Sequence, residues 1–321
     1  MRQGRAISRW LIRAMVRPFA EPRLNIRENY QKVRRRQRRI AIQPVPQSRL
    51  RDYKLLADDG SHEIPIRVFQ PREQTRDLVI LFFHGGGWVT GGVESYTPAC
   101  HAIADVTGCV VASVEYRLAP EHPFPAGLDD CYTVARRVLT DPSLAGIQDS
   151  NKIVLMGDSS GGNLVAALSL RLKQNNEPGA QQQILLYPVA HWNHDPHSSP
   201  FESVRQHGDD YRLTNAEMDA YFDMYAPDAS LRHNPLISPL AANDLSNQPK
   251  TLVITAELDL LRDEGEQYAK ALKAAGNEVE LHRVNRALHG FINLPRFARP
   301  LREAFEVINQ FLSDTHGQAP R

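Results

Sequence analysis

Ile153-Val154-Leu155-Met156-Gly157-Asp158-Ser159-Ser160-Gly161 decides how this 321-residue chain is read. Four apolar residues spell a buried strand, and the stretch from Gly161 to Lys173 carries a helical apolar pattern, so a serine stands at a strand-to-helix turn. A turn that presents a nucleophile there crowds its own backbone and needs small residues two positions before and after the serine, which Gly157 and Gly161 supply. Ser160 fits less well, because its neighbours at those offsets are Asp158, which is too large, and Gly162. The same letters also describe a glycine-rich helix start capped by a serine. A phosphate loop would need a Lys-Ser/Thr pair after the glycines, and none follows.

Upstream, Leu78 to Phe83 forms an apolar strand that runs into His84-Gly85-Gly86-Gly87-Trp88. Glycines let backbone N–H groups come close to a substrate carbonyl as its oxygen becomes negative, and the N–H of Ser160 completes such a set. Taken alone, three glycines also suit a flexible loop. The strand feeding them and the Trp88 that follows favour a fixed turn, in which His84 orients the loop and does not act as a base. Downstream, a nucleophilic serine needs a histidine base and a carboxylate to orient it, in the chain order serine, acid, histidine. Thr251 to Thr255 is a strand with Glu257, Asp259, Asp263 and Glu264 just beyond it. Asp259 lies in the strand-end loop, whereas Asp263 and Glu264 open a helix whose dipole attracts acids in any case. Glu257 remains the competitor. His289, in His289-Gly290-Phe291, follows the next strand in a loop from which it can reach Ser159.

From about residue 52 the chain alternates short apolar runs with helical patterns, the rhythm of an α/β domain. Strands are expected at Asp52–Ala57, Ile64–Phe69, Leu78–Phe83, Cys109–Tyr116, Lys152–Met156, Gln183–Tyr187, Thr251–Thr255 and Glu278–Val284. The first two, joined by Asp58-Asp59-Gly60, read as an antiparallel hairpin; the others need crossovers and hence parallel pairing. Helices are expected near Pro98–Val106, Gly127–Leu139, Gly161–Lys173, Asp263–Ala275 and Leu301–Leu312, with a further stretch around Asn215–Met224 inside an insertion.

Residues 1–40 hold 13 Lys and Arg against Glu21 and Glu28, and the rest of the chain is acidic, giving a net charge of +1 overall. Arg5, Arg9, Arg13 and Arg17 recur every four positions opposite Ile7, Trp10, Leu11, Ala14 and Met15, the pattern of an amphipathic helix ending near Pro18. Such a helix suits an anionic membrane surface, a lid, or packing with a solvated basic face. The basic residues stop where the core-forming sequence starts, which argues against a nucleic-acid partner. Three cysteines, Cys100, Cys109 and Cys131, have neither disulfide nor metal-site spacing, and no apolar run nears the ~20 residues of a membrane span. A cytoplasmic protein is expected, with peripheral membrane contact through the basic helix left open.

Five ordered motifs together resemble the hormone-sensitive-lipase-like group of α/β-hydrolase esterases, over about residues 50 to 315. They are His84-Gly85-Gly86-Gly87-Trp88, Tyr116-Arg117-Leu118-Ala119-Pro120-Glu121-His122-Pro123-Phe124-Pro125-Ala126, the turn around Ser159, Asp259-Leu260-Leu261-Arg262-Asp263-Glu264-Gly265, and His289-Gly290-Phe291. The resemblance implies an α/β-hydrolase fold with a mostly parallel central sheet, helices on both faces and a helical cap. It implies a triad of Ser159, Asp259 and His289, and an oxyanion hole of Gly85, Gly86, Gly87 and Ser160. Residues 1–50 and about 191–235 would form the cap, and residues 51–321 the catalytic domain that carries that insertion. It further implies hydrolysis of carboxylic esters, with short-to-medium acyl chains, and no metal or organic cofactor. Two departures stand out: Ser160 replaces the group's usual alanine, and Leu260 a usual proline. Amide or lyase chemistry on the same scaffold, and a non-catalytic small-molecule-binding relative, are the alternatives.

Overall fold

In the computed structural model, residues 25–40, 46, 49–209 and 211–313 are described. The amphipathic pattern at residues 5–17 lies outside them. A helix that the periodicity did not predict, α1 (Ile26–Ile40), comes first. It is followed by β1 (Leu50–Leu56), β2 (Glu63–Phe69), β3 (Val79–Phe83), α2 (Val93–Thr107) and β4 (Val110–Val114). Then come α3 (Ala126–Thr140), β5 (Ile153–Asp158), α4 (Ser160–Gln174), β6 (Gln182–Leu186), α5 (Glu202–His207) and α6 (Asn215–Tyr225). The chain continues through β7 (Lys250–Leu258), α7 (Arg262–Ala274), β8 (Val279–Leu288) and α8 (Arg299–Ser313).

The eight strands form one sheet in the order β1-β2-β4-β3-β5-β6-β7-β8. β1 and β2 pair antiparallel as the expected hairpin, with Leu50 opposite Phe69 and Leu56 opposite Glu63. β2 pairs antiparallel with β4, and every later pairing is parallel. Parallel strands must be covered on both faces, and β3 and β5 are accordingly buried at every residue. The two faces build separate cores, one under α3, α4 and α7 and the other under α2 and α8.

Several boundaries differ from expectation, among them the end of β7, which runs on to Leu258 and so contains Glu257. α2 starts at Val93, ahead of Pro98, which the helix carries in its interior. β8 runs on to Leu288, through the polar Asn285 and through Arg286 at φ +58°, and so delivers His289 directly from a strand end. Among the described residues no helix is long and apolar enough to cross a membrane.

Candidate active site

The turn after β5 is as tight as its glycines implied. Ser159 sits at φ +55°, ψ −121°, a strained conformation that its neighbours hold. Its N–H donates to the Leu186 carbonyl (2.8 Å), and its own carbonyl receives the N–H of Asn163 (3.0 Å). A β-carbon on Gly157 would lie 2.4 Å from the Gly161 backbone, and one on Gly161 would lie 2.0 Å from the Phe83 carbonyl oxygen. Those contacts are with backbone, so neither position has room for a side chain.

Three strand ends then bring distant residues together. His289 Nε2 lies 2.8 Å from Ser159 Oγ, and His289 Nδ1 lies 2.7 Å from Asp259 Oδ2. Ser159 and Asp259 are buried, and the histidine is nearly so. Asp259 Oδ1 is fixed by the N–H of Leu261 (3.0 Å). The Nδ1 proton donated to Asp259 leaves Nε2 as the acceptor for the serine hydroxyl. The edge of the Tyr187 ring packs against the imidazole at 4.9 Å. Glu257, the competing acid, points elsewhere and accepts the Arg286 N–H at 2.6 Å.

The glycine loop faces the same serine. Gly86 (φ +125°) and Gly87 (φ +62°) turn the chain in a region that favours glycine. Among the described residues the N–H groups of Gly86, Gly87 and Ser160 have no protein acceptor. Ser160 opens α4, where no intrahelical partner exists for its N–H. The fourth expected donor needs correction. The Gly85 N–H is committed to Asp158 Oδ1 at 2.8 Å and is unavailable to a ligand. His84 holds the loop, with Nδ1 2.9 Å from the Gly85 carbonyl and its ring stacked on Tyr116 at 4.3 Å. Burial lowers the pKa of its imidazole and favours the neutral form.

Sequence reading used Asp158 only as an obstacle to Ser160, and missed its place in the site. It is fully buried and accepts hydrogen bonds from Gly85 N, from Tyr96 Oη (3.1 Å) and from Tyr187 Oη (3.3 Å). Burial pushes its carboxyl up to about 6 against these donors. Tyr187 also accepts the N–H of Ile292 (3.2 Å), so one carboxylate ties the glycine loop to the loop carrying His289. Its position beside Ser159 and the lone tyrosine ending β6 were the only signals in the sequence.

Glu264 also departs from expectation, serving a buried pair where the helix dipole was expected to account for it. Its Oε2 lies 2.8 Å from His194 Nε2, and its Oε1 accepts the N–H groups of Ala190 and His191. This pins the first residues of the insertion to the acid motif. Above the site, the Tyr221 ring of α6 lies against the α-carbon of Gly87, leaving no room for a β-carbon there. α6 in turn packs Ala220 on Ile26 and Val33 of α1. Arg34 of α1 donates to the carbonyls of Val89 (2.7 Å) and Ala119 (2.8 Å). The proline-rich run after β4 supports the loop from below, with Ala119 N–H on the Trp88 carbonyl (3.0 Å) and Tyr116 Oη on the His84 carbonyl (2.7 Å).

A doubly covered, mostly parallel sheet with serine, acid and histidine meeting at its carboxyl edge defines an α/β hydrolase. Comparison with known proteins agrees: a family described as having the alpha/beta hydrolase fold matches residues 80–293. An arylesterase of Saccharolobus solfataricus is 35% identical over 274 residues, 84% of this chain and 87% of that protein. A hyperthermophilic esterase from Pyrobaculum calidifontis superposes with a TM-score of 0.82 at 34% identity, covering 96% of this chain and 98% of the other. A gibberellin receptor of Arabidopsis thaliana is 36% identical over 224 residues, 68% of this chain and 63% of that protein. The chain belongs to this α/β-hydrolase family, in its hormone-sensitive-lipase-like group.

Proposed function

We propose that the protein hydrolyses carboxylic esters through an acyl-enzyme on Ser159, with His289 as general base and Asp259 as its orienting acid. It is a carboxylic ester hydrolase of the group to which its esterase relatives belong. The observation that carries the mechanism is the unbroken relay of 2.8 Å and 2.7 Å from Ser159 through His289 to Asp259, beside three uncommitted N–H groups.

His289 Nε2 takes the hydroxyl proton as Ser159 Oγ attacks the ester carbonyl, and Asp259 stabilises the imidazolium that forms. The carbonyl oxygen, now negative, is received by the N–H groups of Gly86, Gly87 and Ser160, each worth about 10²–10³ in rate. His289 returns the proton to the leaving alcohol, then activates the water that releases the acid.

Residues 1–50 and about 191–235 are assigned to a cap over the catalytic domain of residues 51–321, supported by Tyr221 against Gly87 and by α6 on α1. Short-to-medium acyl chains are proposed from the family resemblance. Three buried free thiols fit a reducing cytoplasm. The basic segment before α1 keeps two readings, part of the cap over the site and peripheral contact with an anionic membrane. Sedimentation with anionic liposomes should fall on deleting residues 1–20, and equal binding by the truncated chain would remove the membrane reading.

Matched p-nitrophenyl esters and p-nitroanilides of rising acyl length test the substrate class. Ester turnover with anilides slower by orders of magnitude is expected, and faster anilides would reassign the protein as an amidase. Similarity to a receptor favours one second reading, binding without turnover. The intact relay stands against it, and saturable binding of esters that are never hydrolysed would establish it.

A further inference from the structure

Ser160 stands where the resembled group usually has alanine, and its side chain is fully buried. Its Oγ accepts the N–H of Trp88 at 3.2 Å. The Tyr116 phenol, against the same loop, donates its O–H to the His84 carbonyl at 2.7 Å. Two donors thus hold the loop: Trp88 N–H donates to Ser160 Oγ, and Tyr116 O–H donates to the His84 carbonyl. His84 and Trp88 are the first and last residues of the glycine loop. Trp88 is itself at φ +60° and stacks on Tyr225 of α6 at 4.4 Å.

We infer that Ser160 is a positioning residue whose hydroxyl clamps the Trp88 end of the His84–Trp88 loop to the turn bearing Ser159 while Tyr116 holds the His84 end, setting where the Gly86 and Gly87 N–H groups point. An alanine at 160 would keep the backbone N–H in the oxyanion hole and release the clamp. Oxyanion donors work only when held at the position the negative oxygen will occupy. The clamp thus acts on the transition state and not on ground-state binding. This rests on the ester-hydrolysis mechanism proposed above.

The test compares Ser160→Ala, Tyr116→Phe, the double variant and Ser159→Ala on p-nitrophenyl acetate, with inhibition by an arylboronic acid, whose tetrahedral adduct places an oxygen among the same N–H groups. For Ser160→Ala, kcat should drop about 10- to 100-fold, below the ceiling set by losing one donor outright. KM should stay within about two-fold and the boronate Ki should rise by the same factor as kcat/KM falls. Tyr116→Phe frees only the His84 end and should show a smaller loss of the same kind, with the double variant losing less than the product of the two. A Ser160→Ala enzyme within two-fold of wild type in kcat, while Ser159→Ala is inactive, overturns the clamp. So does a fall in kcat with an unchanged boronate Ki. Should Ser160→Ala fail to fold, the joint movement of kcat and Ki in Ser160→Cys, whose thiol is a weak acceptor for the Trp88 N–H, decides the matter in the same way. Activity retained by Ser159→Ala would instead strike the mechanism beneath it.

Discussion

Gly161→Ala puts the packing of the serine turn to a quantitative test. The added β-carbon would stand 2.0 Å from the Phe83 carbonyl oxygen and 2.7 Å from the His84 carbonyl carbon and oxygen. An ordinary carbon-to-oxygen contact is about 3.3 Å or more, so something must shift by more than about 1 Å. The obstructing atoms are the backbone of the last residue of β3, a strand paired on both sides, and the first residue of the glycine loop. Relief must therefore move either Ser159 and Ser160 or His84 and Gly85. Overpacking of this kind costs about 1–3 kcal/mol or more. Misplacing catalytic groups by about 1 Å costs about 10²-fold in rate. Urea unfolding and kcat on p-nitrophenyl acetate should register both losses, while Gly179→Ala, exposed and facing open space, changes neither. A Gly161→Ala enzyme within three-fold of wild-type kcat and about 0.5 kcal/mol of its stability would refute the packing account.

Asp259→Asn should lower kcat by about 10⁴-fold by spoiling the His289 tautomer, while Glu257→Gln, whose carboxylate serves Arg286, stays within a few-fold; steady-state kinetics read the contrast. Glu264→Ala strips the acceptor from His194, Ala190 and His191 in a fully buried pair and should cost about 3–5 kcal/mol by urea unfolding. Glu264→Gln, which keeps an oxygen for the two backbone donors, should cost less. Asp158, with its pKa raised from 3.8 to about 6, holds its proton more tightly folded than unfolded. Its contribution to stability is present below pH 3.8 and is lost as pH rises through 6. Wild type should therefore lose about 2 kcal/mol relative to Asp158→Asn between unfolding curves at pH 4 and at pH 7. Parallel pH profiles of the two proteins would contradict it.

Local signals made much of this legible. The strand before Gly157, the helix after Gly161 and the hairpin around Asp58-Asp59-Gly60 each show within a window of a dozen residues, and chain order linked Ser159, Asp259 and His289. What escaped depends on contacts far apart in sequence. β8 was read as ending at Val284 because Asn285 and Arg286 break the apolar pattern, yet pairing with β7 carries it to Leu288. Glu264 has the look of a dipole acid, and only the fold brings His194 to it. Gly85 looked equivalent to its two neighbours until the Asp158 carboxylate, 73 positions away, was seen to occupy its N–H. α1 does not stand out in the sequence because, among its described residues, Ile26 and Val33 are the buried apolar ones in a run rich in arginine.

Turnover through this site requires that Ser159 be acylated. Acid-quenching the enzyme with a p-nitrophenyl ester within the first turnovers and measuring intact and peptide masses should reveal one acyl group on the peptide containing Ser159, and none in Ser159→Ala. An acyl group on another residue, or ester hydrolysis by Ser159→Ala at the wild-type rate, would contradict it.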